Sequence, residues 1–138
     1  MADLALVTAG RLRVVESIIQ HTAPFAETCA VGDAVRIDTT TGKWTKANGT
    51  SAAEARIYGV LVSKDGAGAA GTAVRKGVID GFDLSGLDYD KAIWLSDTDG
   101  KFASADSDAT VDIAVGRVIP GFATTLGTAA DKLFFIDL

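Results

Sequence analysis

Four places in this chain of 138 residues carry side chains or spacings that could do chemistry. The first is the glycine run at 66–71, which matches the dinucleotide fingerprint G-x-G-x-x-G letter for letter. That fingerprint works because its glycines open a helix whose N-terminal amides hold a pyrophosphate. The residues that follow, Thr72-Ala-Val-Arg-Lys-Gly-Val-Ile-Asp80, read as a strand, so the run is expected to be a turn and no cofactor is expected. The second, Asp97-Thr-Asp-Gly100, has the form of the opening of a calcium loop. It lacks a third ligand before the glycine and a glutamate at the far end, so it reads as a hairpin turn and no metal is expected. The third is His21 with Cys29, each the sole residue of its kind, and any hydrolytic centre would need them as base and nucleophile. They stand eight residues apart around Pro24 without a nucleophile elbow, and they read as packing or surface residues. The fourth, Asn48-Gly-Thr50, fits a glycosylation acceptor but follows no secretory signal. The glutamates Glu16, Glu27 and Glu54 give no pair whose environments differ enough for acid–base work, so the expectation is a protein that is not an enzyme.

Bulk properties point the same way. The 13 basic residues are scattered and the net charge is -5, which argues against a nucleic-acid partner. No run of 18 apolar residues is present, so no membrane span is expected. One cysteine allows no internal disulfide. A domain of this size buries about 70% of the surface its unfolded chain exposes, so a core can form without staples. Fifteen glycines, two prolines, many Val, Ile and Thr residues and no long amphipathic helical pattern place the chain among all-β proteins.

The elements that position these residues come in two copies. Asp33-Ala-Val-Arg-Ile-Asp-Thr-Thr-Thr-Gly-Lys-Trp-Thr-Lys-Ala47 is answered by Lys91-Ala-Ile-Trp-Leu-Ser-Asp-Thr-Asp-Gly-Lys-Phe-Ala-Ser-Ala105, with Gly42 and Gly100 58 residues apart. Ile57-Tyr-Gly-Val-Leu-Val62 then answers Ala114-Val-Gly-Arg-Val-Ile119 at an offset of 57. Gly71-Thr-Ala73 answers Gly127-Thr-Ala129, and Gly77-Val-Ile-Asp80 answers Phe134-Phe-Ile-Asp137. The spacing predicts two tandem β units, residues 33–80 and 90–137, inside one compact barrel- or sandwich-like β domain spanning 13–138. Residues 1–12 lie outside the duplication and are expected to form an extended N-terminal arm. Residues 13–22 read as a strand ended by Ala23-Pro24. Thr39 to Gly42 supplies a hairpin turn that makes Trp44 available to the core, and Gly59 invites a bulge or a close backbone approach. The connector 81–90 is expected to pack down through Phe82, Leu84, Leu87 and Tyr89, and the apolar C-terminal run is expected to be locked into the sheet or an interface.

One exchange between the copies points to a partner. Arg36 lies opposite the Val35/Ile37 face, and the matched residue beside Ile93 and Leu95 is Trp94. If that face is outward in both units, Trp94 is an exposed ring that wants a partner. Trp94, with Arg117 and Phe134, is therefore assigned to an oligomer interface.

The runs Glu27-Thr-Cys-Ala-Val-Gly-Asp-Ala-Val-Arg-Ile37, Thr72-Ala-Val-Arg-Lys-Gly-Val-Ile-Asp-Gly-Phe-Asp-Leu84, Ile93-Trp-Leu-Ser-Asp-Thr-Asp-Gly100 and Val115-Gly-Arg-Val-Ile-Pro120 resemble the head decoration, or capsid cement, proteins of tailed bacteriophages. The resemblance covers about residues 13–138 and rests on strands and turns rather than a catalytic signature. It implies a small β-rich homo-oligomer, commonly a trimer, that binds the major capsid protein on the outer surface of the virion and reinforces the shell. On that reading the apolar arm is free until it meets the shell, and Leu4, Leu6, Val7 and Leu12 are assigned to capsid contact. A head-fibre or tail attachment module would show longer fibrous repeats. A carbohydrate-binding β module would show a groove lined by several aromatics.

Overall fold

The structure is a computed structural model that describes residues 3–65, 69–106, 110–121 and 132–138. Among these residues it contains nine strands and no helix. They are β1 (Arg13–Pro24), β2 (Ala34–Ile37), β3 (Trp44–Lys46), β4 (Gly59–Lys64), β5 (Ala70–Asp80), β6 (Ala92–Leu95), β7 (Phe102–Ala103), β8 (Ala114–Pro120) and β9 (Lys132–Asp137). All pair antiparallel in one sheet that curls into a half barrel. The order is β3-β2-β4-β5-β9-β8-β6-β7, with β1 lying along β5. Read from either end, each half runs in the order second, first, third, fourth of its own unit's four strands, and the halves meet where β5 pairs β9.

The turns match residue by residue. Asp38 and Ser96 directly follow β2 and β6, and each accepts a bond from the amide two residues on: Thr40 N to Asp38 Oδ1 at 2.8 Å and Thr98 N to Ser96 Oγ at 3.0 Å. The backbone closes likewise, Asp38 N donating to Lys43 O and Ser96 N to Lys101 O. Gly42 and Gly100 finish the turns at φ 71° and 76°, a region costly for a residue with a Cβ. The ladders match too, with Ile37 opposite Trp44 as Leu95 is opposite Phe102, and Val35 opposite Gly59 as Ile93 is opposite Gly116.

The last strand of each unit departs from the sequence alignment. Val60 pairs Val74, whereas the matched Arg117 pairs Phe135, an offset of 61 for the last strand rather than the 57 of the Gly77/Phe134 match. Two glycines corroborate the slide. A Cβ at Gly59 would stand 2.1 Å from Val74 O, and one at Gly116 would stand 1.9 Å from Phe135 O, so each glycine lets the neighbouring strand approach. A slide of four residues keeps the face of every side chain, because the strand period is two. The Gly127–Ala129 match lies outside the described residues.

Two cores result, one on each face of the first unit. The larger joins Ala34, Val60 and Val74 of the first unit to Ile93, Leu95, Phe102, Val118, Phe134 and Ile136 of the second. Phe82, Phe102 and Phe134 meet edge to face at 5.2 to 5.7 Å. The smaller joins Val35, Trp44, Leu61, Ala73 and Cys29, with Ala23, Phe25 and Tyr58 packed against it. Trp44 is fully buried there and donates Nε1 to Gly71 O at 2.9 Å. In β2 both Ala34 and Val35 are buried because both faces are covered, while Ile37 at the strand end is 45% exposed.

The arm is also corrected. Within the described residues 3–12 it lies on the protein's own body rather than free. Leu4 N donates to Phe102 O, Val7 N to Gly81 O, and Asp83 N to Ala5 O, each at 2.8 Å. Leu4, Leu6 and Leu12 pack against the larger core. In the connector, Phe82, Leu84 and Leu87 are buried, as the sequence suggests, but Tyr89 is 48% exposed.

Candidate interaction surface

Residues directly opposite in antiparallel strands project to the same face, so the registers show which side chains share a surface. One row runs Glu16, Val78, Phe135, Arg117, Ala92 from β1 and β5 across β9, β8 and β6 of the second unit. A second row on the same face runs Ile19, Lys76, Asp137. Trp94 joins it by alternation with Ala92. Val78, Phe135, Ala92 and Trp94 are half-buried, and Ile19 is 45% exposed. Charges on this face are paired with one another: Arg117 Nη1 meets Asp90 Oδ1 at 2.9 Å, and Lys76 Nζ meets Asp137 Oδ1 at 3.7 Å. Asp90 holds a left-handed φ of 64° at the entry to β6, a conformation aspartate tolerates. The face closes toward Leu133, which is buried.

The matching row of the first half is Ala34, Val60, Val74, and all three are fully buried. The same strand face is therefore covered in one unit and open in the other. What covers it in the first unit is the opposite face of the second, since Ile93, Val118 and Phe134 share the larger core with Ala34, Val60 and Val74. The smaller core serves the first unit's other face, capped by Phe25 and Ala23 at the end of β1.

Three residues were assigned to an oligomer interface from sequence. Trp94 and Arg117 fall on the open face. Phe134 does not: it is fully buried in the aromatic cluster, and its neighbour Phe135 is the outward ring. A one-residue step along a strand changes face, and no sequence signal separates two adjacent phenylalanines. The four arm residues assigned to capsid contact are Leu4, Leu6, Val7 and Leu12. Leu4, Leu6 and Leu12 pack against the protein's own core, and Val7 is half-buried with its amide bonded to Gly81 O. Leu6 also fills the space beside Gly32, where a Cβ would stand 3.1 Å from it.

The remaining apolar exposure gathers on β1, where Val14, Val15, Ile18 and Ile19 are 36–54% exposed. Register shifts flank Val15 and Ile18, so these two residues sit in bulges of the β1–β5 ladder. Bulges spoil the regular edge that a further strand would need, so this segment offers side chains rather than a pairing edge. The ends of the sheet are closed by the chain itself: Asp3 bridges Ala103 beside β7, and Phe25 bridges Trp44 beside β3.

The chemistry-bearing residues occupy structural positions. His21 stands over the smaller core, 6.1 Å from the Trp44 ring and 6.3 Å from Tyr58. Burial pushes the Cys29 thiol up to about 11, helped by the negative charges of Asp33 and Glu27, so it stays protonated and poorly nucleophilic at neutral pH. Burial also raises Asp33, whose Oδ2 accepts from Ala30 N at 2.9 Å. Glu27 is opposed by desolvation but ends below the usual range because Thr45 and the Lys46 amide donate to it. Asp99 Oδ1 accepts from Asn48 Nδ2 at 3.0 Å, tying the second hairpin turn to the first unit. The residues after Gly71 continue β5, as the sequence indicates, so the glycine run leads into a strand rather than a helix; Gly66, Ala67 and Gly68 lie outside the described residues.

Comparison with protein-family models, with curated proteins and with solved structures finds no match to this chain.

Proposed function

We propose that this chain is a structural virion protein that binds the outside of an assembled tailed-bacteriophage head, contacts the major capsid protein and reinforces the shell. The observation that carries the reading is the open sheet face across β5, β9, β8 and β6, apolar at Val78, Phe135, Ala92 and Trp94 and internally charge-paired. A rigid, duplicated sheet with such a face is suited to contact rather than to turnover. The sequence resemblance to head decoration proteins adds support. Its four runs fall on the β2 entry, on β5 and the connector, on β6 and its turn, and on β8, which together make the frame of the sheet. Cementing needs copies that bridge several shell subunits, and a closed ring, three copies on this reading, supplies equivalent contacts.

In this proposal the arm is no longer the free contact element. Its apolar side chains already serve the protein's own core, so the shell is met by a preformed surface, without the cost of ordering a loose segment, about 1–2 kcal/mol per residue. Purified protein mixed with expanded shells and pelleted through a cushion tests the proposal. Saturable co-sedimentation with shells is expected, together with shells that withstand higher temperature. Absence of binding to expanded shells refutes it.

A further inference from the structure

We propose that the pocket between the end of β2, the segment 53–58 and β5 binds a small ligand that carries a carboxylate head on an apolar body. The pocket lies on the other side of the sheet from the open face. Along β5 the open face takes Lys76 and Val78, whereas Arg75 projects to the opposite side with Ala73. Ile37 reaches the pocket from β2 by alternation with Val35, so the pocket continues the face of the smaller core past its buried residues.

Two arginines line it, Arg56 and Arg75, and among the described residues neither has a carboxylate within ion-pair distance. In a chain with 18 acidic residues against 13 basic ones, such a pair is left to an anion from outside. The acids nearest in sequence are engaged in their own turns. Asp38 Oδ1 accepts from Thr40 N at 2.8 Å and Thr41 N at 3.2 Å, and Glu54 Oε2 accepts from Thr50 Oγ1 at 2.7 Å and Ser51 Oγ at 3.2 Å. These bonds hold both carboxyls below their usual range.

Arg75 is set in advance for the head group. Its guanidinium lies 5.3 Å over the Tyr58 ring and Nη1 donates to Tyr58 O at 3.3 Å, which fixes the side chain and leaves its other N–H groups for a ligand. A fixed guanidinium fork matches a carboxylate bidentately. Phosphate is the poorer fit, because phosphate sites draw on backbone amides and the turn amides here, Thr40 N and Thr41 N, are taken by Asp38. The walls select the body: Ile37 is 45% exposed at the rim, and Ile57 adds a second aliphatic surface. The volume, about 470 Å³, falls in the range of small-molecule sites, about 300–1,000 Å³. Such a head and body belong either to a free acid or to the C-terminal residue of a peptide.

Titration of the isotope-labelled full chain with hexanoate, followed by amide nuclear magnetic resonance, tests the assignment. Saturable shifts are expected, gathered at Thr39, Tyr58 and Arg75, while hexanol and inorganic phosphate shift these amides little. Arg56→Gln and Arg75→Gln are expected to weaken binding by at least about tenfold with wild-type circular dichroism, and Lys76→Gln, on the other side of β5, to bind as wild type does. Should Arg75→Gln fail to fold, Arg56→Gln decides, since its side chain is exposed. An acetylated tripeptide ending in leucine separates the sources: tighter binding than hexanoate, lost on amidation of its terminus, assigns a peptide end, and weaker binding assigns a free acid. Saturation by neither hexanoate nor the free peptide, equal shifts with hexanol or phosphate, or unchanged binding by Arg56→Gln overturns the inference. It stands apart from the shell reading. A protein that binds hexanoate and ignores shells leaves it intact, and one that decorates shells but binds neither acid overturns it.

Discussion

Phe134 and Phe135 are adjacent, chemically identical, and placed on opposite faces of β9. Phe134 is fully buried and meets Phe82 at 5.4 Å and Phe102 at 5.2 Å, both edge to face. Truncating such a side chain removes its transfer energy and leaves a cavity, about 3–5 kcal/mol in well-packed cores. Losing two aromatic contacts, each worth about 0.5–1.5 kcal/mol, favours the upper part of that range. Against a total stability of about 5–15 kcal/mol for an ordinary domain, Phe134→Ala should leave a marginal protein, melting about 10–20 °C lower. Phe135 is half-buried on the open face, so Phe135→Ala should cost only about 1–2 kcal/mol. Urea titration followed by circular dichroism gives both values, with an unchanged slope showing that the unfolded state is not the cause. Equal destabilisation by the two substitutions would refute the assignment of β9 to its faces.

Gly59→Ala and Gly116→Ala should each destabilise by about 1–3 kcal/mol or more, because the added Cβ would strike Val74 O and Phe135 O, whereas Gly86→Ala, with nothing within 4 Å, should change the urea midpoint little. Deleting residues 2–12 should lower the melting temperature and raise proteolytic sensitivity, since Leu4, Leu6 and Leu12 pack on the core; an unchanged melt would contradict their placement. Burial and nearby carboxylates raise Cys29 from 9.0 to about 11 in the folded protein, so folding favours the protonated thiol. That contribution is fully present below pH 9, where folded and unfolded thiols are both protonated, and is lost as pH rises through about 11. Cys29→Ala should therefore flatten the fall of stability across that window, and an identical pH profile for the two proteins would contradict the assignment.

Much of the fold was legible because its signals are local. The turns at Thr39–Gly42 and Asp97–Gly100 and the strand runs beside them repeat at a fixed offset, and the two hairpins follow. The slide of β9 was not legible, because matching Gly77 to Phe134 rewards letters, whereas the register is set by where Gly59 and Gly116 admit the neighbouring backbone. The arm's docking was hidden as well. Ala, Leu and Val make the same apolar segment whether it seats on its own body or on another protein, and the choice depends on the space beside Gly32 and Phe102, which only the assembled sheet creates. The exchange with Arg36 singled out Trp94, while placing Arg117 beside it and choosing between Phe134 and Phe135 needed the strand registers.

The central claim is that this chain belongs on the outside of a phage head. Quantitative mass spectrometry of gradient-purified virions, combined with electron microscopy of the same particles, tests it most directly. The account predicts the chain in a fixed ratio to the major capsid protein, as density on the outer surface that is absent from shells assembled without it. Virions that lack the chain, or that carry it only inside the head or at the tail, would contradict it.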